Sequence, residues 1–218
     1  MDHILSRVVL FAFDRHHYED QDYHGHKDKF MELRSQLESK ALVVQVLCNA
    51  DAADFMSSEF QLEGVKAIIL TDPRMTKYPA IAPIIVKLVA WVRAGGTLIM
   101  SSLFSTMVEP INFEKFIRNA WGLPWKYVDY SEHLCIPNLG HPERYWEGPY
   151  AIKPYKMMAA FLEDVDMEDR VFVREDDETD DKAAAVILKP FGEGRLGWIG
   201  DVNNEVGSMQ VLLAMCRL

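Results

Sequence analysis

Four short apolar runs in the first half of the chain, none of them alternating, constrain the fold more than any other feature. They are 7–13 (RVVLFAF), 42–48 (LVVQVLC), 65–71 (VKAIILT) and 97–101 (TLIMS). A strand wetted on one face alternates polar and apolar residues. A strand covered on both faces does not, and such strands belong mainly to parallel sheets. Helical spacing fills the gaps. Phe30, Leu33 and Leu37 predict a helix over 27–40, and 51–60 holds a shorter one. Ile81, Ile84, Ile85, Leu88 and Val92 form one stripe, closed by Gly95-Gly96 as a left-handed C-cap requires. Asn112 is placed to cap a helix carrying Phe113, Phe116, Ile117, Ala120 and Trp121, which Gly122 ends. This alternation of strand and helix predicts an α/β architecture, a parallel sheet with helices on both faces.

The second half has another character. Residues 137–154, rich in Pro, Gly and aromatics, read as a long ordered loop, 156–162 as a short helix and 171–173 as a short strand. The acidic run 174–182 (REDDETDDK) reads as a solvated loop. Two apolar runs, 184–191 and 195–199, joined by Gly192-Glu193-Gly194, predict a β-hairpin, and 204–217 a closing helix. No repeat or linker divides the 218 residues, so a single domain over 1–218 is expected. Lys plus Arg number 23 and Asp plus Glu 33, a net charge of −10 that disfavours nucleic acid and anionic membranes as partners. The longest apolar stretch, 79–92, is broken by Lys87 and too short for a bilayer. The N-terminal segment lacks a basic n-region and a small-residue cleavage site. Cys48, Cys135 and Cys216 are too few and too far apart for a disulfide framework or a metal knuckle. A cytoplasmic protein is the expectation.

Three segments carry a resemblance: VKAIILTDP at 65–73, VRAGGTLIM at 92–100 and GEGRLGWIGDVNNE at 192–205. In this order they resemble the class I glutamine amidotransferase-like superfamily, in its ThuA-like (trehalose-utilisation-like) branch, over most of the chain from about residue 7 to 218. The resemblance implies a flavodoxin-like three-layer sandwich with a mostly parallel sheet, here with a C-terminal β-hairpin plus helix. It also implies a homodimer, and a fold that serves as an oligomerisation module in larger enzymes.

In that superfamily a nucleophile often stands on a tight elbow after the strand that follows the Gly-Gly helix. Here the position is Ser102, flanked by Met100 and Phe104 rather than by small residues, and the family's cysteine is absent. The sequence therefore predicts no glutaminase activity. A serine nucleophile would need a base, for which His16 or His17 in the loop after the first strand is the candidate. The other reading is that Ser102 merely ends a strand. His141-Pro142-Glu143 copies the His-x-Glu step of true amidotransferases but stands in a loop, without an elbow cysteine to partner it. His24 and His26, near Asp14, His16 and His17, have donor chemistry that suits a divalent ion, but their spacing is irregular and no metal centre is predicted.

Loops at the carboxyl ends of parallel strands face the ligand crevice. Asp14, Asp72, Arg74, Asp201, Asn203 and Glu205 fall there. They read either as a polar pocket or, for Asp201 to Glu205, as a turn that caps the last helix. Gly192-x-Gly194 lies in a hairpin rather than between strand and helix, so it marks no dinucleotide, and no cofactor is predicted. Trp121, Trp125, Tyr127, Tyr130, Tyr145, Trp146 and Tyr150 read as a surface that stacks on a sugar or an aromatic ligand, a cover over the sheet or a dimer patch, with Trp121 in the core by its place on the apolar stripe. The expectation is thus a ThuA-like protein binding a small polar, sugar-like ligand at the strand carboxyl ends. The alternative is a serine-dependent hydrolase using Ser102.

Overall fold

The apolar runs become strands whose successive side chains feed two separate cores. The computed structural model describes residues 6–13, 26–77, 79–145, 147, 151–175 and 183–218. In β1 (Arg7–Phe11), Val8 and Leu10 enter one core while Val9 and Phe11 enter the other. That is why the run does not alternate: both faces are dry. β2 (Leu42–Val46), β3 (Val65–Leu70) and β4 (Thr97–Met100) flank it in the order β2-β1-β3-β4, all parallel. On one face lie α2 (Asn49–Phe55) and α4 (Ala82–Arg93), and on the other α1 (His26–Glu38). The short α3 (Glu59–Leu62), α5 (Leu103–Met107) and α6 (Pro110–Phe116) complete this half. A π-helical turn, Ile117–Trp121, extends α6 and ends at Gly122, the stop the sequence predicted, in a left-handed conformation with φ 68°. The cap at the other end differs. Pro110 opens α6 behind Glu109, and Asn112 lies inside the first turn with its amide donating to the Glu109 carboxylate.

The remaining strands correct the expected architecture. β5 (Lys126–Pro137), β6 (Tyr155–Glu163), β7 (Arg170–Arg174) and β8 (Ala184–Phe191) pair antiparallel. They pair as β8-β6-β5-β7 and return from β7 to β8, so these four strands close into a barrel. β9 (Gly194–Ile199) joins the two halves, parallel to β4 and antiparallel to β8. Of the nine pairings between named strands, five are antiparallel. The molecule is therefore not a flavodoxin-like sandwich with an appended hairpin. The hairpin β8–β9 is the seam along which a closed antiparallel barrel grows out of the sheet. The segment expected as a helix, 156–162, is β6. Met157, Ala160 and Phe161 fall at helical spacing, but hydrogen bonding to β5 and burial among barrel neighbours decide for a strand. The loop expected from residue 137 follows a long strand that the sequence reading left out.

Two glycine segments lock the seam to α4. Glu193 donates its N–H to the Arg93 carbonyl, and Arg195 donates to that of Gly96. A Cβ on Gly194 would stand 2.1 Å from the Val92 carbonyl oxygen, so the chains can pass only at glycine. The final helix, α7 (Val206–Met215), packs on the α1 side of the sheet. Among the described residues, no helix is long and apolar enough to cross a membrane.

Candidate functional site

The register of the parallel strands sets the site. Leu70 pairs with Met100, and Met100 with Trp198. Two residues further on, Asp72, Ser102 and Gly200 stand level along the carboxyl edge, a row of roughly 10 Å at the usual strand spacing. Ser102 forms the elbow between β4 and α5, with φ 61° and ψ −127°. Its hydroxyl is buried and has no hydrogen-bond partner among the described residues. α5 holds the elbow in place. Ser105 Oγ donates to the Ser102 carbonyl at 3.0 Å and reaches the Asp201 carbonyl at 3.3 Å, and Thr106 Oγ1 donates to the Ser102 carbonyl.

Beside it lies an acidic pair. Asp201 is 2% exposed, and its carboxylate accepts the N–H groups of Asn203 at 2.7 Å and Glu205 at 2.8 Å. Burial, with the Glu205 carboxyl facing it, pushes its pKa up to about 8, and the Ser208 hydroxyl acts against this. Asp201 therefore keeps its proton at neutral pH. Glu205 stands at the N-cap of α7 without making a cap bond, and its Oε2 is buried without a partner among the described residues. From Asp201 the polar chain runs through Ser208 to Tyr155, whose hydroxyl lies 2.9 Å from Ser208 Oγ. Burial holds the Tyr155 phenol well above its usual range, so it stays protonated. The sequence reading missed Ser208 and Tyr155. The available signal was a serine beside Met209 and Val211 on the largely apolar VGSMQVLLAM helix.

The other expected residues divide. Asp72 Oδ1 accepts the Arg74 N–H and caps a 3-10 turn, Pro73–Thr76. Arg74 lines a cleft of about 460 Å³ with Phe13, Cys48, Asn49, Ala50 and Ile81, over the ends of β1, β2 and β3. Asn203 accepts a bond from Lys29 Nζ through its side-chain oxygen. The stretch Asp201 to Glu205 therefore forms the turn into α7. Asp14, His16, His17 and His24 lie outside the described residues, and His26 is the first residue of α1. Among the described residues, no three His, Cys, Asp or Glu side chains group as metal ligands would.

His141-Pro142-Glu143 lies at the wrong end of the sheet. His141 is buried, its ring facing the backbone of Glu143 and Leu188, while Glu143 binds the Arg195 guanidinium at 3.0 and 3.1 Å. Burial alone would raise the Glu143 carboxyl, but the Tyr145 hydroxyl and Arg195 outweigh it and hold it below the usual range. Arg195 pairs with Thr97, five residues before the elbow, which places the ion pair roughly 16 Å from Ser102. Cys48 caps the start of α2, Cys135 is buried in the barrel, and burial pushes the Cys216 thiol up to about 12. No thiol stands at the elbow. The aromatic residues do not form one surface. Trp121 and Trp125 are core, Tyr145 stacks on His141, and Tyr130 is exposed on β5. Trp146 and Tyr150 lie outside the described residues.

No family model matches the sequence, and no curated protein does. The fold itself recurs among solved structures. A β-galactosidase of Bacillus circulans sp. alkalophilus superposes with a TM-score of 0.61 at 12% identity, over 97% of this chain and 31% of that one. A protein of Bacteroides uniformis described as ThuA-like superposes at 0.56 and 10% identity, over 98% of this chain and 89% of the other. A second ThuA-like protein, from Parabacteroides merdae, gives 0.52 and 10%, over 97% and 90%. The chain thus spans about a third of the length of the β-galactosidase and nearly all of each ThuA-like chain. At these identities the likeness is one of fold, and the fold is ThuA-like.

Proposed function

We propose that this chain binds a small, polar, sugar-like ligand at the carboxyl edge of its parallel strands and has no glutaminase activity. The observation that carries this reading is the buried Ser102 hydroxyl, unpartnered among the described residues, on the same edge as a second such atom, Glu205 Oε2. Buried polar atoms are nearly always satisfied, and a ligand rich in hydroxyls is what would satisfy these. The Asp201–Glu205 pair offers both a donor and acceptors to such a ligand. The β-galactosidases that share the fold act on carbohydrate by name, which supports the same ligand class. Against glutaminase chemistry stand the serine at the elbow and the distant His141 and Glu143. Membership of the class I glutamine amidotransferase-like superfamily belongs to this reading and is supported by the segments at 65–73, 92–100 and 192–205.

The test is a thermal-shift and calorimetric screen of monosaccharides, disaccharides and polyols. A saturating ligand at about 100 times its Kd adds about 2.7 kcal/mol to stability, an easily read shift. Ser102→Ala and Glu205→Gln should each weaken binding by about tenfold. A flat screen across all saccharides would sink the reading.

The backbone of Ser102 favours a second reading, a serine-dependent hydrolase. Positive φ on a strand-to-helix turn is the geometry in which a nucleophile is presented. The base this requires, His16 or His17, lies outside the described residues. A fluorophosphonate probe should then label the wild type and leave Ser102→Ala unlabelled. Failure to label the wild type removes this reading and leaves the first untouched. The coverage of the larger β-galactosidases supports a third, weaker reading as an oligomerisation module, a homodimer here, read by light scattering.

A further inference from the structure

A second concavity lies between α4 and α6, its lining adjoining that of the first where Arg74 meets Met75 and Ile81 meets Ala82. Its volume is about 630 Å³, within the range of small-molecule pockets, and it shares no lining residue with the carboxyl-edge cleft. One wall is the outer face of α4, with Ile85, Val86 and Val89; Val86 is 68% exposed. Phe116, buried, contributes the end of α6. The opposite wall is polar, with Lys115 on α6 and Asn119 in the π-helical turn, one turn apart. A π-helical turn is rare and recurs at functional sites.

The charge of this lining is unlike that of the chain. The sequence carries 33 acidic residues, yet none lines the cleft, whose charged groups are Lys77 and Lys115. Lys77 is engaged, 2.6 Å from a Glu109 oxygen. Lys115 has no ion-pair partner among the described residues. An apolar wall facing one available ammonium fits a molecule with an apolar body and one negative charge. A phosphate dianion would leave charge unmet beside a single free cation.

We propose that this cleft binds an amphiphilic carboxylate, its acyl chain along Ile85, Val86 and Val89 and its head group at Lys115 and Asn119. Each methylene removed from water should strengthen binding about fourfold. Isothermal titration of the whole chain with hexanoate, octanoate, 1-octanol and octylammonium tests this. Octanoate should bind about fifteenfold more tightly than hexanoate, octylammonium not at all, and 1-octanol about tenfold more weakly than octanoate. Lys115→Gln should cost octanoate about fivefold and leave 1-octanol unchanged. Val86→Asp, on an exposed position, should abolish binding of both while circular dichroism and Tm stay near wild type. Binding without chain-length dependence, equal affinity for octylammonium, or indifference to Lys115→Gln would each overturn the proposal. So would concentration-dependent dimerisation lost in Val86→Asp, which would give the cleft to a second copy of the chain.

Discussion

Ser102 carries two costs at one position. Its φ of 61° with ψ −127° lies in a region that L-residues avoid, at about 1–3 kcal/mol. Its hydroxyl is buried without a partner among the described residues, at about 1–3 kcal/mol more. Ending a strand needs neither. Ser102→Ala keeps the backbone conformation and removes the unmet hydroxyl, so urea unfolding should show a gain of about 1 kcal/mol. Ser102→Gly also relieves the backbone and should gain at least as much. A loss of stability in Ser102→Ala would mean that the hydroxyl is already bonded, and the case for a ligand there would fail. The position of the elbow was legible only through the resemblance, which places it after the strand that follows the Gly-Gly helix. Its positive φ was not, because Met100 and Phe104 flank it where small residues usually signal such a turn. Ser208 and Tyr155 were out of reach for another reason. They meet Asp201 only because residues 155–163 form a strand, in a segment whose spacing read as helical.

At the scale of elements, the sequence was readable wherever a segment's own pattern decides its structure. The runs that became β1, β3 and β4 needed no partner to be recognised, since burial on both faces shows as an unbroken apolar string. The barrel was hidden because pairing decides it. β5 is wetted along most of its length, with burial changing residue by residue, and β6 packs small residues against it. The class of the whole sheet was therefore misjudged from segments that were individually sound. The two glycine segments show the same division. Gly95, at φ 115°, ends α4 for local reasons, and a Cβ there meets nothing within 4 Å. Gly194 is required by a distant neighbour, the backbone of Val92 and Gly96. Gly95→Ala should thus cost about 1–3 kcal/mol through backbone strain alone. Gly194→Ala must push β9 away from α4 and should cost more than about 3 kcal/mol, or prevent folding. Equal costs in urea unfolding would refute the interlocking of the two segments.

The molecule as a whole is hinged on the junction of parallel sheet and barrel, and the Asp201–Glu205 pair sits on that junction. Asp201 bridges to Ala159 of β6, Val202 donates its N–H to the Met158 carbonyl, and Tyr155 reaches α7 through Ser208. The proton on Asp201 therefore ties the acid–base state of one site to the joining of the two halves. Burial and Glu205 raise the folded-state pKa of Asp201 to about 8, whereas an unfolded aspartate titrates near 3.9. Between these values the folded chain holds a proton that the unfolded chain has lost. The stabilisation is fully present below the unfolded value and is lost as pH rises through the folded one, at up to about 1.4 kcal/mol per pH unit. Glu143 acts with the opposite sign, since a carboxyl held below its usual range loses its contribution as pH falls. Urea unfolding should therefore find the chain less stable at about pH 8 than at about pH 5.5, on the alkaline side of the window in which carboxylates such as Glu143 titrate. Self-repulsion in a chain of net charge −10 also grows with pH, but it acts on every variant alike. Glu205→Gln separates the two effects. The amide removes the neighbouring carboxyl that raises Asp201, so Asp201 should ionise at lower pH and part of the difference should vanish, burial keeping the rest. If the variant keeps the full wild-type slope, Glu205 does not raise Asp201, and burial or charge at large sets the slope.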